Sequence, residues 1–213
     1  MHKPSLGLSL EGLPFIFLTA IATLTFALLD CWFMATVLLV TLFLVLNFFR
    51  DPERVVPQEP GVAVSPADGK VIKIETMRDP LTGEDRTAIC VFMNVFNVHV
   101  NRMPVAGRIA RISYFGGKFI NASFDKASVD NERNAVLVED ADGRSWTMVQ
   151  IAGLIARRII CWAEEGDSLS RGARFGLIKF GSRVDLYLPG EYVPSVRIGE
   201  NVFAGQTILA RKK

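Results

Sequence analysis

Two apolar runs separated by only two residues constrain this chain more than any other feature. Leu13 to Leu29 is 17 residues and Trp32 to Phe49 is 18, with Asp30-Cys31 between them. As helices rising 1.5 Å per residue, each is just long enough for a hydrocarbon core of roughly 30 Å. A two-residue connection allows nothing but a tight helical hairpin, so residues 1–50 read as a membrane hairpin. Lys3 precedes the first run, Arg50 and Arg54 follow the second, and the connection has no Lys or Arg. Both ends are therefore expected on the cytoplasmic side of the cell (inner) membrane. The alternative is a shallow hairpin that enters the bilayer without crossing it. A second apolar run directly after the first argues against a cleaved signal peptide.

The charge that the hairpin lacks is concentrated downstream. Only Lys3, Glu11 and Asp30 are charged in the first 49 residues, so the remaining 164 carry 23 Lys and Arg against 20 Asp and Glu. That near balance excludes a strongly basic nucleic-acid binder and an acidic disordered tail. The length suits one globular domain. Cys31, Cys90 and Cys161 are odd in number and lack a metal-ligand spacing, which suggests reduced, structural thiols and no metal.

Residues 51–60, rich in proline and charge, read as a linker, and residues 61–213 as the globular part. Its apolar runs are short and β-like: Val71–Ile74, Thr87–Phe92, Ala135–Val138, Thr147–Ile151 and Val184–Leu188. Asp68-Gly69, Thr82-Gly83 and Asp142-Gly143 fall between runs, where hairpin turns are expected. The expected fold is mainly β, a barrel or sandwich with short helices.

Three residues carry candidate chemistry. Gly181-Ser182 ends an apolar run and opens an alternating strand with Val184, Leu186 and Leu188 on one face. Such a serine is ordinarily a packed bend. Its hydroxyl can also attack the preceding carbonyl and turn amide into ester, helped by a glycine with no Cβ in the way. β-Elimination of the ester and hydrolysis of the resulting dehydroalanine then leave an N-terminal pyruvoyl group. His99 lies in an apolar strand, where a satisfied core histidine is the ordinary reading, yet Asn97, Asn101 and Arg102 flank it as a polar cleft requires. Histidine is also the side chain best matched to proton transfer near neutrality. Asp68 is either a turn aspartate or an acid that orients a histidine or accepts a hydroxyl proton.

Several segments together resemble the short bacterial-type members of the phosphatidylserine decarboxylase family. They are Ser65-Pro-Ala-Asp-Gly-Lys-Val71, Asn97-Val-His-Val-Asn-Arg102, Lys126-Ala-Ser-Val-Asp-Asn-Glu-Arg-Asn134, Gln150-Ile-Ala-Gly153 with Ala156-Arg-Arg158, and Arg174-Phe-Gly-Leu-Ile-Lys-Phe-Gly-Ser-Arg-Val-Asp185. They run in order over nearly all of residues 61–190, and the apolar hairpin fits as well.

The resemblance implies cleavage between Gly181 and Ser182, giving a large chain 1–181 and a small chain 182–213 that stay together as a heterodimer. The small chain would begin with a pyruvoyl cofactor made from Ser182. Asp68 and His99 fall on the family's acid and histidine motifs. Longer members carry a second histidine where this chain has Arg102; if that residue activates the serine there, His99 or another group does so here. The implied reaction joins the amine of phosphatidylserine to the pyruvoyl carbonyl as a Schiff base, which accepts the electrons left when CO2 departs. His99 is the candidate proton donor, and phosphatidylethanolamine is the product. Arg102, Lys118 and Arg133 are candidates for the lipid phosphate. The implied partners are the phospholipid and its bilayer, and a homo-oligomer is compatible with the sequence.

A different class remains open: a membrane-tethered, non-catalytic β module of the biotinyl/lipoyl type. Val196–Leu209 looks like a hammerhead repeat of that kind, which gives the carboxy-terminal part a barrel-sandwich character. It lacks an Asp-Lys or Met-Lys-Met carrier site. A pyruvoyl decarboxylase acting on another amine is the third reading.

Overall fold

The computed structural model describes residues 7–123, 130–153, 158–179 and 182–213. The chain divides into two compact units, Met1–Glu53 and Arg54–Lys213.

In the first unit a 3-10 turn, Leu10–Gly12, leads into α1 (Leu13–Leu28), and α2 (Trp32–Phe48) follows. Asp30 makes the turn between them with φ 55°, a left-handed conformation that its short polar side chain tolerates. The open end is clasped. Ser9 N–H donates to Phe49 O at 2.8 Å and Asp51 N–H to Gly7 O at 2.7 Å, while the Phe15 and Phe49 rings stack. Phe49 packs so closely over Gly12 that any Cβ there would overlap its ring.

Most of the hairpin's large apolar side chains point outward, including Phe17, Leu28 and Phe33. The hydroxyls of Thr19, Thr23, Thr25, Thr36 and Thr41 each donate to a carbonyl one turn back. Polar groups satisfied within their own helix suit an apolar solvent. Leu10–Leu28 is long and apolar enough to cross a membrane.

The second unit is built of strands: β1 (Val62–Val64), β2 (Gly69–Arg78), β3 (Asp85–Met93), β4 (Val100–Arg102), β5 (Gly107–Phe115), β6 (Arg133–Glu139), β7 (Ser145–Ala152), β8 (Ile159–Cys161), β9 (Ser168–Leu169), β10 (Arg174–Ile178), β11 (Ser182–Tyr187), β12 (Tyr192–Pro194), β13 (Asn201–Val202) and β14 (Ile208–Lys212). An eight-stranded sheet runs β13-β2-β3-β11-β7-β6-β5-β9, and two three-stranded sheets run β4-β10-β8 and β1-β14-β12. The mainly β fold expected from the runs is the one observed.

Two of the expected turns are hairpins. Thr82-Gly83 joins β2 to β3, with Asp79 Oδ1 accepting the Leu81 and Thr82 N–H groups. Asp142-Gly143 joins β6 to β7, capped in the same way by Asp140. Asp68-Gly69 does not make one. β1 pairs with β14, whereas β2 pairs with β3 and β13, so this turn carries the chain from one sheet to another. Glycine is required there because a Cβ would overlap the Phe92 carbonyl oxygen.

The central strands are buried on both faces. Val91, Met93, Val136, Met148, Val184 and Leu186 belong to the main core, and Ala88, Ala135, Val149, Ile151 and Tyr187 to a second cluster on the other face. Alternation along each strand sorts the two sets.

Candidate active site

Ser182 opens β11, in register with Met93 of β3 and Ala152 of β7. Its side chain shares the main-core face with Val184 and Leu186 and is fully buried. Among the described residues its hydroxyl finds only the Met93 sulfur, 4.0 Å away. A thioether is a weak acceptor, so the hydroxyl is loosely held in a dry interior. Gly181 lies outside the described residues, as do 126–129 and 156–157 of the family-like segments and Lys3 of the orientation argument.

His99 enters β4 and is also fully buried. Its Nδ1 is 2.9 Å from the Asn97 carbonyl. A carbonyl only accepts, so Nδ1 is the ring nitrogen that donates here. The histidine's own carbonyl receives the Ile178 N–H at 3.3 Å, and Val100 pairs with Leu177 of β10. Ile178 precedes Ser182 by four residues, a span of at most about 14 Å. Strand pairing and connectivity thus keep the backbone hydrogen-bonded to His99 within four residues of Ser182.

Asp68 is 4% exposed. Its Oδ2 meets Arg54 Nη2 at 2.8 Å and its Oδ1 accepts the Ala204 N–H at 2.7 Å. Arg54 goes on to Gln206 Oε1, so Asp68 binds residues 54, 204 and 206 into one knot. Pro66 O accepts the Arg102 N–H at 2.9 Å, which docks the same turn on the strand that follows His99.

The three phosphate candidates lie in different settings. Arg102 is buried, with Nη1 on the Gly172 carbonyl at 3.1 Å. Arg133 is half-buried, its guanidinium 4.6 Å from the Phe115 ring centroid. Lys118 is exposed beside an isolated bridge to Asn131.

Asn134 and Gln150 also face Ser182's side of the sheet, and sequence reasoning passed over both. The signal was present: each is a polar residue at a core-facing position of a β run. Arg54 was read as a flanking charge, whereas it belongs to the Asp68 knot. All three cysteines are free thiols. Among the described residues no three His, Cys, Asp or Glu side chains gather as a metal site.

The chain thus combines an apolar helical pair, compatible with membrane association, with a mainly β unit in which Ser182 and His99 are both fully buried. The family model for phosphatidylserine decarboxylase matches residues 42–210. A phosphatidylserine decarboxylase proenzyme of Nitratidesulfovibrio vulgaris is 63% identical over 212 residues, covering 100% of this chain and 98% of the relative. Proenzymes of the same description from Oleidesulfovibrio alaskensis and Cupriavidus pinatubonensis are 62% and 51% identical, covering 100% and 99% of this chain and 98% and 97% of theirs. The chain belongs to the phosphatidylserine decarboxylase family.

Proposed function

We propose that this chain is a carboxy-lyase that converts phosphatidylserine to phosphatidylethanolamine with a pyruvoyl group made from its own Ser182. The relatives are described as proenzymes acting on that lipid, and whole-length identity above 60% supports the same activity here. The observation that carries the self-processing is the Ser182 hydroxyl, fully buried and, among the described residues, with only a sulfur beside it.

Ser182 Oγ bonds the carbonyl carbon of residue 181, and the amide nitrogen leaves that carbon, its proton count made up by the one the hydroxyl gives up, to give an ester and a free amine. Loss of the Ser182 α-proton then breaks the Cβ–Oγ bond, releasing chain 1–181 as a carboxylate and leaving dehydroalanine. Water converts dehydroalanine to the pyruvoyl ketone with loss of ammonia. Among the described residues the hydroxyl is already desolvated and held only by a thioether, so it can turn to the adjacent carbonyl. The proton it gives up needs a base, for which His99 is the candidate; on that ground the residues present fit the group. The pyruvoyl carbonyl exists only once the chain is cut, so cleavage precedes decarboxylation.

A pyruvoyl carbonyl supplies the electron sink that an amino acid needs as CO2 leaves. His99 moves protons at Nε2, because Nδ1 is committed to Asn97 O. Asp68 positions: it fixes the Ser65–Gly69 turn against Arg54 and Ala204, and that turn holds the strand that follows His99. The division into a membrane hairpin at 1–50, a linker at 51–60 and a catalytic domain at 61–213 follows the same reading. The outward apolar side chains of α1 and α2 support membrane tethering. Arg50, with no Lys or Arg in the turn, supports a cytoplasmic face on the inner membrane. Lys118, with its exposed amine, is the phosphate candidate best placed for a lipid head group, ahead of Arg133 and the buried Arg102.

Ser182→Ala tests the reading. The variant is expected to stay full length and release no CO2 from phosphatidylserine vesicles. A cleaved or active alanine variant overturns it.

A further inference from the structure

Three buried side-chain amides form a chain that ends beside Ser182. Asn134 Nδ2 donates to Gln150 Oε1 at 3.0 Å, and Gln150 Nε2 donates to Asn101 Oδ1 at 2.9 Å. Asn101 Nδ2 then donates to Met93 Sδ at 3.8 Å, the same sulfur that receives the Ser182 hydroxyl. Asn101, Gln150 and Ser182 are all fully buried, and Asn134 is 3% exposed.

Each link fixes the direction of the next. An amide oxygen only accepts and an amide NH2 only donates. With Gln150 Nε2 on its oxygen, Asn101 must turn Nδ2 toward Met93 and Ser182. Gln150 belongs to β7 and Asn101 to β4, so this hydrogen bond bridges two sheets. Gly176 keeps the passage open, because a Cβ there would come within 2.8 Å of Gln150 Nε2.

Polar side chains in an apolar interior are costly unless well satisfied. Here two links end on oxygen and the last ends on a thioether, so the weakest partner in the chain stands next to the reacting serine. That is an odd terminus for a network built for stability alone. It is a suitable one for a donor that must change partners when charge appears.

We infer that Asn101 Nδ2 is the donor that leaves Met93 to hold the negative charge formed as the Ser182 hydroxyl bonds the preceding carbonyl carbon, and that Gln150 is the positioning residue that aims it. The inference rests on the self-cleavage proposed above. In a buried site, exchanging a weak thioether partner for a developing oxyanion strengthens the donor's hydrogen bond at the moment charge forms. Met93 suits the resting state because it releases the donor readily.

The test follows the appearance of the 182–213 fragment by intact mass after cell-free synthesis of the full chain. The chains compared are the unsubstituted protein, Asn101→Leu, Gln150→Glu and Ser182→Ala. Asn101→Leu is expected to slow fragment formation by about 100- to 1,000-fold. Gln150→Glu keeps the acceptor for Asn134 and loses the donor to Asn101 until its carboxyl is protonated. Its cleavage rate relative to the unsubstituted chain at the same pH is therefore expected to recover as pH falls. A folded Asn101→Leu that cleaves at the normal rate overturns the inference, provided Ser182→Ala stays uncut. If Asn101→Leu does not fold, a pH-independent ratio for Gln150→Glu overturns it instead. Cleavage of Ser182→Ala sinks the underlying reading itself.

Discussion

Arg183 lies along the carboxylate of Asp185, Nε to Oδ1 at 2.6 Å and Nη2 to Oδ2 at 2.8 Å, both side chains about 1% exposed. The pair directly follows Ser182, on the opposite face of β11. Removing one partner strands a charge in the interior, which costs about 3–5 kcal/mol, whereas removing both costs much less. Asp185→Asn is expected to lower the melting temperature by about 10 °C. The double variant Arg183→Met, Asp185→Leu is expected to recover most of that loss. Additive losses in thermal melts of the unsubstituted chain, Arg183→Met, Asp185→Leu and the double variant would contradict a coupled pair.

The Asp140 turn predicts a pH dependence. Burial alone would raise this carboxyl, but hydrogen bonds from Trp146 Nε1 at 3.0 Å and Arg144 Nε at 2.8 Å outweigh it and hold the group below the usual carboxylate range. A depressed native value contributes stability that is complete above the unfolded value, about 3.9, and is lost as pH falls through the native one. The stability gap between the unsubstituted chain and Asp140→Asn should therefore be widest near neutrality and shrink below about pH 4. A gap unchanged down to pH 2 contradicts the assignment.

Cys90 is fully buried, and burial followed by the Asp185 charge pushes its thiol far above the ordinary range. The reactive thiolate is accordingly suppressed. Iodoacetamide applied to the folded chain in detergent should modify Cys31, which is exposed, and spare Cys90 until denaturant is added. Peptide mass mapping reads both, and native alkylation of Cys90 would count against the packing of this face.

Two glycine substitutions separate close approach from open surface. Gly69→Ala drives a Cβ into the Phe92 carbonyl oxygen, while a Cβ at Gly190 meets nothing within 4 Å. Gly69→Ala should destabilise by about 1–3 kcal/mol and Gly190→Ala by less than about 0.5 kcal/mol in denaturant titrations. Equal effects would show that the turn into β2 can relax.

How much of this was legible in the sequence depended on how local the cause was. The apolar runs predicted α1 and α2 to within a residue at each end, because hydrophobic length is a local property. The Thr82-Gly83 and Asp142-Gly143 hairpins were equally local. Asp68-Gly69 misled because its dipeptide is identical in kind, and only the pairing of β1 with β14, from the far end of the chain, shows that it bridges sheets. On β11 the alternation of Val184 and Leu186 was visible, but the burial of Arg183 and Asp185 on the other face was not, since two charges in a strand ordinarily signal solvent. Ser182 and His99 could be singled out by residue type. Asn134 and Gln150 share one hairpin, but they acquire meaning only when Asn101, from a strand of another sheet, meets Gln150.

The most direct measurement is the intact mass of the purified, lipid-active protein, with and without borohydride. The self-processing account predicts two masses from the 23.6 kDa chain, the smaller covering 32 of 213 residues at about 3.5 kDa, blocked to Edman chemistry and shifted by reduction of its terminal ketone. A single uncut mass that decarboxylates phosphatidylserine and takes up no hydride would contradict it.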